Sequence, residues 1–442
     1  MALGGLVFDG ISHFLTLVIF FIAAITSSYS IRYLKGAKKE RQFYYKLNAL
    51  VIFLLLAISL DNIFFFISSW LLANLTLSSL MTLNRKWSAA QNSTTLSRNF
   101  FFASFALAIT GALILTHFGQ TSSLFELGTL QSQIPPFAKL LGVGSLFLST
   151  LIQSGLFPFH RWIVSSLNSP TPVSAMMHAG LVNGGCIVLL RMMPVIKNTP
   201  YLMDSIFVFG IVSMVLGTMW NLCQTDFKRM LACSTVGQMG YMFVQLGLGL
   251  FPAALSHLAL HGLFKSHLFL SAGSNLSPIS RSKGKEITMW LKFFGALTAG
   301  ACMAFAFSFT SGHSFPSNQS GFLLICLTAV AGFQASFTFL PTLNNGNQIM
   351  TLFKGWTLFT CIGILYGCSM RLTSSLIPDI ASIELPLSPL HLLGLVALML
   401  PILMAIPALQ RTPVWKRLFF KLLNSSAPAS KTMTTQRLDY NW

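Results

Sequence analysis

Residues 256–268 read SHLALHGLFKSHL. His257, His261 and Lys265 recur there at i, i+4 and i+8, so on a helix they stack along one face. The surrounding residues are apolar, which predicts a helix lying in a membrane. Ionisable groups in the bilayer interior cost on the order of 2.5 to 3.5 kcal/mol each by insertion scales, and they usually line a polar pathway or pair inside a bundle. Ion movement is therefore the expectation for this face.

The rest of the chain supports the membrane reading. Its 442 residues are 54% hydrophobic and 9% charged, with a mean hydropathy of +0.69, more apolar surface than a soluble domain can hide from water. Apolar runs of roughly 20 residues, enough to cross about 30 Å of hydrocarbon, fall near 11–31, 45–60, 63–83, 99–118, 138–157, 173–191, 202–222, 231–250, 253–275, 293–310, 321–340, 352–370 and 389–408. The expected fold class is an all-α polytopic membrane protein of about thirteen transmembrane helices. Residues 1–408 would form a single transmembrane domain and 409–442 a basic cytoplasmic tail.

Charge placement orients these spans. With the N-terminus outside, Arg32, Lys35, Lys38, Lys39, Arg41 and Lys46 fall in one inner loop, Arg85, Lys86 and Arg98 in a second, and Arg281, Lys283, Lys285 and Lys292 in a third. Arg411, Lys416, Arg417, Lys421, Lys431 and Arg437 follow in the tail. Asp9, Asp61, Glu126, Asp204, Asp379 and Glu384 fall on the opposite side. The positive-inside rule accounts for the +18 net charge, and basic residues spread over separate loops argue against a nucleic-acid surface. The expected location is the inner membrane of a bacterial cell, with the C-terminus cytoplasmic.

Cys186, Cys223, Cys233, Cys302, Cys326, Cys361 and Cys368 lie in or beside apolar spans without C-x-x-C spacing and read as small core residues. No metal site or cofactor is expected in this chain, and residues 1–10 lack the basic start of a cleavable signal.

A second anomaly is helix interruption. The segment QSGLFPFHRW, 153–162, puts Pro158 at the end of an apolar span, and SPTPVS, 169–174, leads into the next. Proline removes a backbone donor and clashes with the preceding turn, so a helix carrying one bends or breaks. Broken helices beside buried polar groups build the ion sites of many transporters, and a broken helix near Pro158 is expected. An ordinary helix end with a Pro-rich turn is the alternative.

The run from Phe157 to Arg191, FPFHRWIVSSLNSPTPVSAMMHAGLVNGGCIVLLR, closely resembles the F-P-x-H-x-W-L…G-P-T-P-V-S-A-x-x-H-A signature of the antiporter-like subunits of respiratory complex I and Mrp-type antiporters. DFKRMLACSTVGQMGY, from Asp226 to Tyr241, is similar to that family's D-x-K-R-x-L-A-Y-S-T-x-x-Q-x-G-Y. HLALHGLFKSHLFLSAG, from His257 to Gly273, is similar to its H-x-x-x-H-A-x-F-K-A-x-L-F-L-x-x-G. Phe8-Asp9-Gly10 and Asp61-Asn62 also fall where the family has such residues. These matches cover about residues 8–275.

The resemblance implies a proton-translocating membrane subunit with a polar axis across its bundle. His178 matches the histidine after the T-P-V-S turn, Lys228 the lysine of D-x-K-R, and His257, His261 and Lys265 the central relay, with Asp226, Gln153 and Pro158 in support. Histidine exchanges protons near neutral pH, and a lysine withdrawn from water exchanges them too. Packing alone would explain His178, and a solvated loop cluster would explain Lys228 beside Asp226 and Arg229. Three titratable groups on one apolar face need a shared explanation.

The departures from the family are as informative. Its glutamate after the tryptophan is replaced by Leu71, after Trp70, and its partner lysine by Gln153, so the Glu–Lys pair is lost. No G-F-x-S-K-D-E follows the 293–310 span, which reaches Ser311-Gly312-His313, and the family's usual further N-terminal spans are not seen before Asp9-Gly10. This pattern resembles a shorter branch of the family, the DabB-type membrane subunits of energy-coupled inorganic-carbon pumps. There the partner is a large cytoplasmic zinc-dependent subunit resembling a carbonic anhydrase (DabA-like). The resemblance thus implies a transport subunit that conducts protons or another cation, with CO2 hydration left to the partner's zinc. A divergent respiratory or Mrp-type antiporter subunit is the alternative, and a non-conducting membrane anchor is a third. Within the tail, WKRLFFKLL, 415–423, reads as a basic amphipathic stretch suited to the lipid interface or to a partner.

Overall fold

Where hydrocarbon offers the backbone no hydrogen-bonding partner, a single apolar run can satisfy itself only as a helix. The computed structural model describes residues 2–3, 6–7, 9–83, 87–130, 133–196, 199–272, 287–313, 319–343, 347–378, 385–404 and 410–433, and these are overwhelmingly helical. The only strands among them are the paired dipeptides Ala2–Leu3 and Leu6–Val7. Phe8, Arg85, Lys86, Arg281, Lys283, Lys285, Asp379, Glu384 and Arg437, all placed by the sequence reading, lie outside the described residues.

The chain clusters into two compact units: Met1–Gly247 with His257–Ser274 and Pro407–Trp442, and Leu248–Ser256 with Asn275–Ile406. The first unit begins with α1 (Gly10–Tyr33), α2 (Glu40–Ser59), α3 (Ile63–Met81) and α4 (Ser88–Gly119), followed by the short α5 (Leu124–Thr129) and α6 (Pro136–Gln153). It continues through α7 (Arg161–Val164), α8 (Thr171–Ala179), α9 (Gly184–Ile196), α10 (Pro200–Cys223) and α11 (Phe227–Gly247). The next helix, α12 (Phe251–Leu270), begins in the second unit and returns to the first from His257 onward. The second unit holds α13 (Met289–Ser311), α14 (Ser320–Phe339), α15 (Gln348–Leu376), α16 (Pro389–Ala397) and α17 (Met399–Met404), with α13 packed on both α14 and α15. The tail contributes α18 (Pro413–Ser425) to the first unit.

Counting α8–α9 and α16–α17 as one segment each, every one of the thirteen expected runs has its helix. Ten helices among the described residues are long and apolar enough to cross a membrane alone. The other three segments are α11, α12 and the short Pro389–Met404 stretch. In α11 and α12 the glutamines, histidines and lysines that lower hydropathy sit where the polar pathway is expected.

Local chemistry sets the helix ends. The side chains of Asp9 and Asn62 accept from the Ser12 amide and from the Phe64 and Phe65 amides, capping α1 and α3, and Asp226 accepts from the Arg229 amide at the start of α11. Asp61-Asn62 thus has a structural task, since the Asp61 carboxylate also accepts from the Phe125 amide. Arg191 on α9 forms an ion pair with Asp9 and donates to Ser12 Oγ and the Ile58 carbonyl, both at 2.6 Å, which ties α9 to α1 and α2. Burial would raise the Asp9 carboxyl, but the Arg191 charge and the Ser12 amide hold it below its usual value of 3.8.

The interruption around Pro158 is present. After α6 ends at Gln153 the chain turns through Gly155, at φ +58°, before the single helical turn of α7. A second break, not foreseen from the sequence, divides the 173–191 span. A 3-10 turn at Leu181–Asn183 separates α8 from α9, and the freed carbonyls find side-chain donors. Gln153 donates to the Leu181 carbonyl at 3.2 Å, Ser154 to Val182 at 2.9 Å and Asn183 to Ala179 at 2.7 Å.

α10 and α11 pack with their backbones in contact. A Cβ at Gly210 would stand 2.7 Å from the Val244 nitrogen and 2.9 Å from the Gly240 carbonyl, so only glycine permits this approach. Gly210→Leu is expected to destabilise the chain by about 1–3 kcal/mol through overpacking, read as a lowered melting temperature in detergent.

Candidate functional site

α11 and α12 face each other across two polar stripes. Ser234, Gln238, Tyr241 and Gln245 recur at i, i+4, i+7 and i+11 on α11, one face of that helix. Against them, in reverse order, stand Lys265, His261 and His257. His257 Nδ1 lies 3.1 Å from Gln245 Oε1 and Nε2 lies 2.8 Å from Gln238 Oε1, with the Tyr241 ring edge-on at 4.9 Å. Both ring nitrogens therefore meet carboxamides, which can accept from either tautomer or turn their amide to donate.

Lys265 is fully buried. Its Nζ donates to the Leu231 carbonyl at 2.9 Å and to Ser234 Oγ at 3.0 Å. Among the described residues no carboxylate forms an ion pair with it; the one salt bridge is Asp9–Arg191. A buried ammonium held only by a carbonyl and a hydroxyl is costly to keep charged.

His261 lies between these two residues, its ring 6.2 Å from that of His257 and within electrostatic range of Lys265 and His178. It is buried, and its Nε2 has no hydrogen-bonding partner among the described residues. His178 reaches the same region from α8, its ring stacked on Phe269 at 4.4 Å and its Nδ1 likewise buried without a partner. Ala175, Leu231 and Phe269 form a small apolar core that locks α8, α11 and α12 around this set. Four of the five pathway residues expected from the sequence are thus gathered in one place.

Lys228 stands apart. It lies half-buried in the first turn of α11, about 9 Å along the helix from Ser234, with Asp226 as its nearest opposite charge. Gln153 ends α6, and Pro158 lies on the connection from α6 to α7. The lost Glu–Lys pair has a neutral replacement that the sequence reading missed. Asn74, one turn beyond Leu71, donates to Gln153 Oε1 at 2.9 Å, and Gln153 returns a bond to Asn74 Oδ1 at 3.1 Å. Beside this amide pair is a crevice of about 30 Å³ whose walls are mostly apolar, with Ser104, Ser149 and Thr150 among Phe66, Trp70 and Leu146. Gln153→Leu would strand the Asn74 amide, while the Leu181 carbonyl keeps the Gly184 N–H. A loss of about 2 kcal/mol is expected, measurable as a lower unfolding temperature of the purified chain.

Residues 57–351 match the family described as NADH:quinone oxidoreductase/Mrp antiporter, TM, and the chain belongs to that family. The match includes α8, α11 and α12 and runs past residue 275, where the quoted motifs stop. Among curated proteins the chain is similar to a "Probable inorganic carbon transporter subunit DabB" of Bacillus anthracis, 32% identical over 321 residues, covering 70% of this chain and 61% of the relative. It is also similar to "Probable inorganic carbon transporter subunit DabB1" of Halothiobacillus neapolitanus, 31% identical over 291 residues, covering 64% and 51%. A chloroplastic NAD(P)H-quinone oxidoreductase subunit 5 from Piper cenocladum is 37% identical over 172 residues, 38% of this chain and 23% of the relative. The fold resembles a chain in the structure of the Mrp complex from Dietzia sp. DQ12-45-1b, at a TM-score of 0.68 and 20% identity, covering 95% of this chain and 50% of that one.

Proposed function

We propose that the chain is the membrane subunit of a bacterial inorganic-carbon uptake complex. In this reading protons, entering from outside, pass through the set formed by His257, His261, His178 and Lys265. Their passage drives a large cytoplasmic partner whose zinc chemistry hydrates CO2, making bicarbonate formation effectively one-way. The carrying observation is the buried polar set on α8, α11 and α12, where titratable groups succeed one another without a carboxylate to fix their charge. The similarity to carbon-transporter subunits over more than 60% of the chain supports the choice of cargo.

The orientation in this proposal has the tail inside. Asn92 at the start of α4, Asn168 in the α7–α8 turn and Gln224 at the end of α10 bond to Lys431, Thr432 and Ser426. Those three connections and the tail therefore share one side, the side that the basic residues mark as cytoplasmic. Here α18 is an amphipathic helix whose far end is docked on its own chain.

A divergent respiratory or Mrp-type subunit is the second reading, favoured by the 37% identity of the chloroplastic relative over its shorter stretch. Deleting the gene separates the two. The carbon-uptake reading expects growth to fail at air-level CO2 and recover at elevated CO2. A defect in quinone reduction or sodium tolerance that extra CO2 does not relieve would assign the chain to the second class.

A further inference from the structure

We propose that a groove between α1 and the C-terminal half of α12 binds one anionic phospholipid, with its phosphate at Arg32. The groove encloses about 1010 Å³, against about 30 Å³ in each of two other crevices of this unit. Its floor is apolar, formed by Phe21, Ile25, Leu263 and Leu270. Its polar groups gather at one end, where Arg32 from α1 and His267 and Ser271 from the end of α12 line it, and Tyr29 stacks on Tyr33 at 5.7 Å. Aromatic rings beside a cation are the usual signature of the headgroup level.

The length of the groove fits one lipid. From Phe21 to Tyr33 the groove wall on α1 rises about 18 Å, close to one leaflet. The flanks point the same way: Leu17, Phe20, Leu260 and Phe264 are exposed on the two helices, as they would be toward acyl chains. The basic loop after Arg32, with Lys35, Lys38 and Lys39, adds attraction for a negative headgroup. Because Ser266 and His267 in this wall adjoin Lys265, a bound lipid would brace the helix that carries the polar set.

The test uses the full chain reconstituted in phosphatidylcholine nanodiscs with increasing phosphatidylglycerol, with lipids retained after washing counted by native mass spectrometry. One tightly held phosphatidylglycerol per chain is expected, favoured about fivefold over phosphatidylcholine. Arg32→Gln should erase that preference and Arg32→Lys should keep it, while Leu263→Trp should block retention of both lipids. Equal retention of the two lipids, or an unchanged preference in Arg32→Gln, would overturn the proposal. So would a structure of the purified assembly with a second polypeptide lying in the groove.

Discussion

Lys265→Met is expected to lower carbon accumulation at air-level CO2 on the order of a hundredfold or more, the size of effect a positioned proton-transfer group carries. It should do so without lowering the melting temperature. Methionine keeps the length and packing of the lysine stem but removes an ammonium that has no carboxylate partner among the described residues. Removing one partner of a buried ion pair is strongly destabilising, whereas replacing an unpaired buried charge by an apolar group relieves a desolvation cost. The acceptors left behind are not stranded, because the Leu231 carbonyl still accepts from Thr235 Oγ at 2.8 Å. Uptake and thermal unfolding measured on the same variant separate a functional lysine from a structural one; a fall in both would make Lys265 a packing residue.

His261→Phe is expected to follow the same pattern. Phenylalanine fills the imidazole volume and removes a buried Nε2 that has no protein partner among the described residues, so stability should hold or rise while uptake falls at least about tenfold. The ring lies between His257 and Lys265, and removing it interrupts the succession of titratable groups. If the two residues act in series, adding His261→Phe to Lys265→Met should cost little more than Lys265→Met alone. Effects that multiply in the double variant would mean that the two residues do not limit one shared transfer.

The sequence and the structure agree where a single helix carries the signal. His257, His261 and Lys265 share a face because helical spacing requires it, and the thirteen apolar runs become thirteen helical segments because hydrocarbon leaves the backbone no alternative. What escaped the sequence reading depends on pairs of helices. Ser234, Gln238, Tyr241 and Gln245 also have helical spacing, and that stripe was visible in the residues. Its meaning depends on α11 running antiparallel to α12, which no single run encodes. The amide pair is the same case: Asn74 and Gln153 are 79 residues apart, and attention to the lost charge at Leu71 passed over the amide one turn further on. The break at Leu181–Asn183 lay hidden because the side chains that donate to its carbonyls, Gln153 and Ser154, come from the end of a different helix.

Proton movement through this buried set is tested most directly by reconstituting the chain with the cytoplasmic partner proposed for it in vesicles and following an imposed pH gradient with an entrapped dye. The wild type should dissipate the gradient, with the Lys265→Met assembly as slow as protein-free vesicles. A Lys265→Met assembly that carries protons at the wild-type rate would contradict the pathway, and a wild type no faster than empty vesicles would make the chain an anchor.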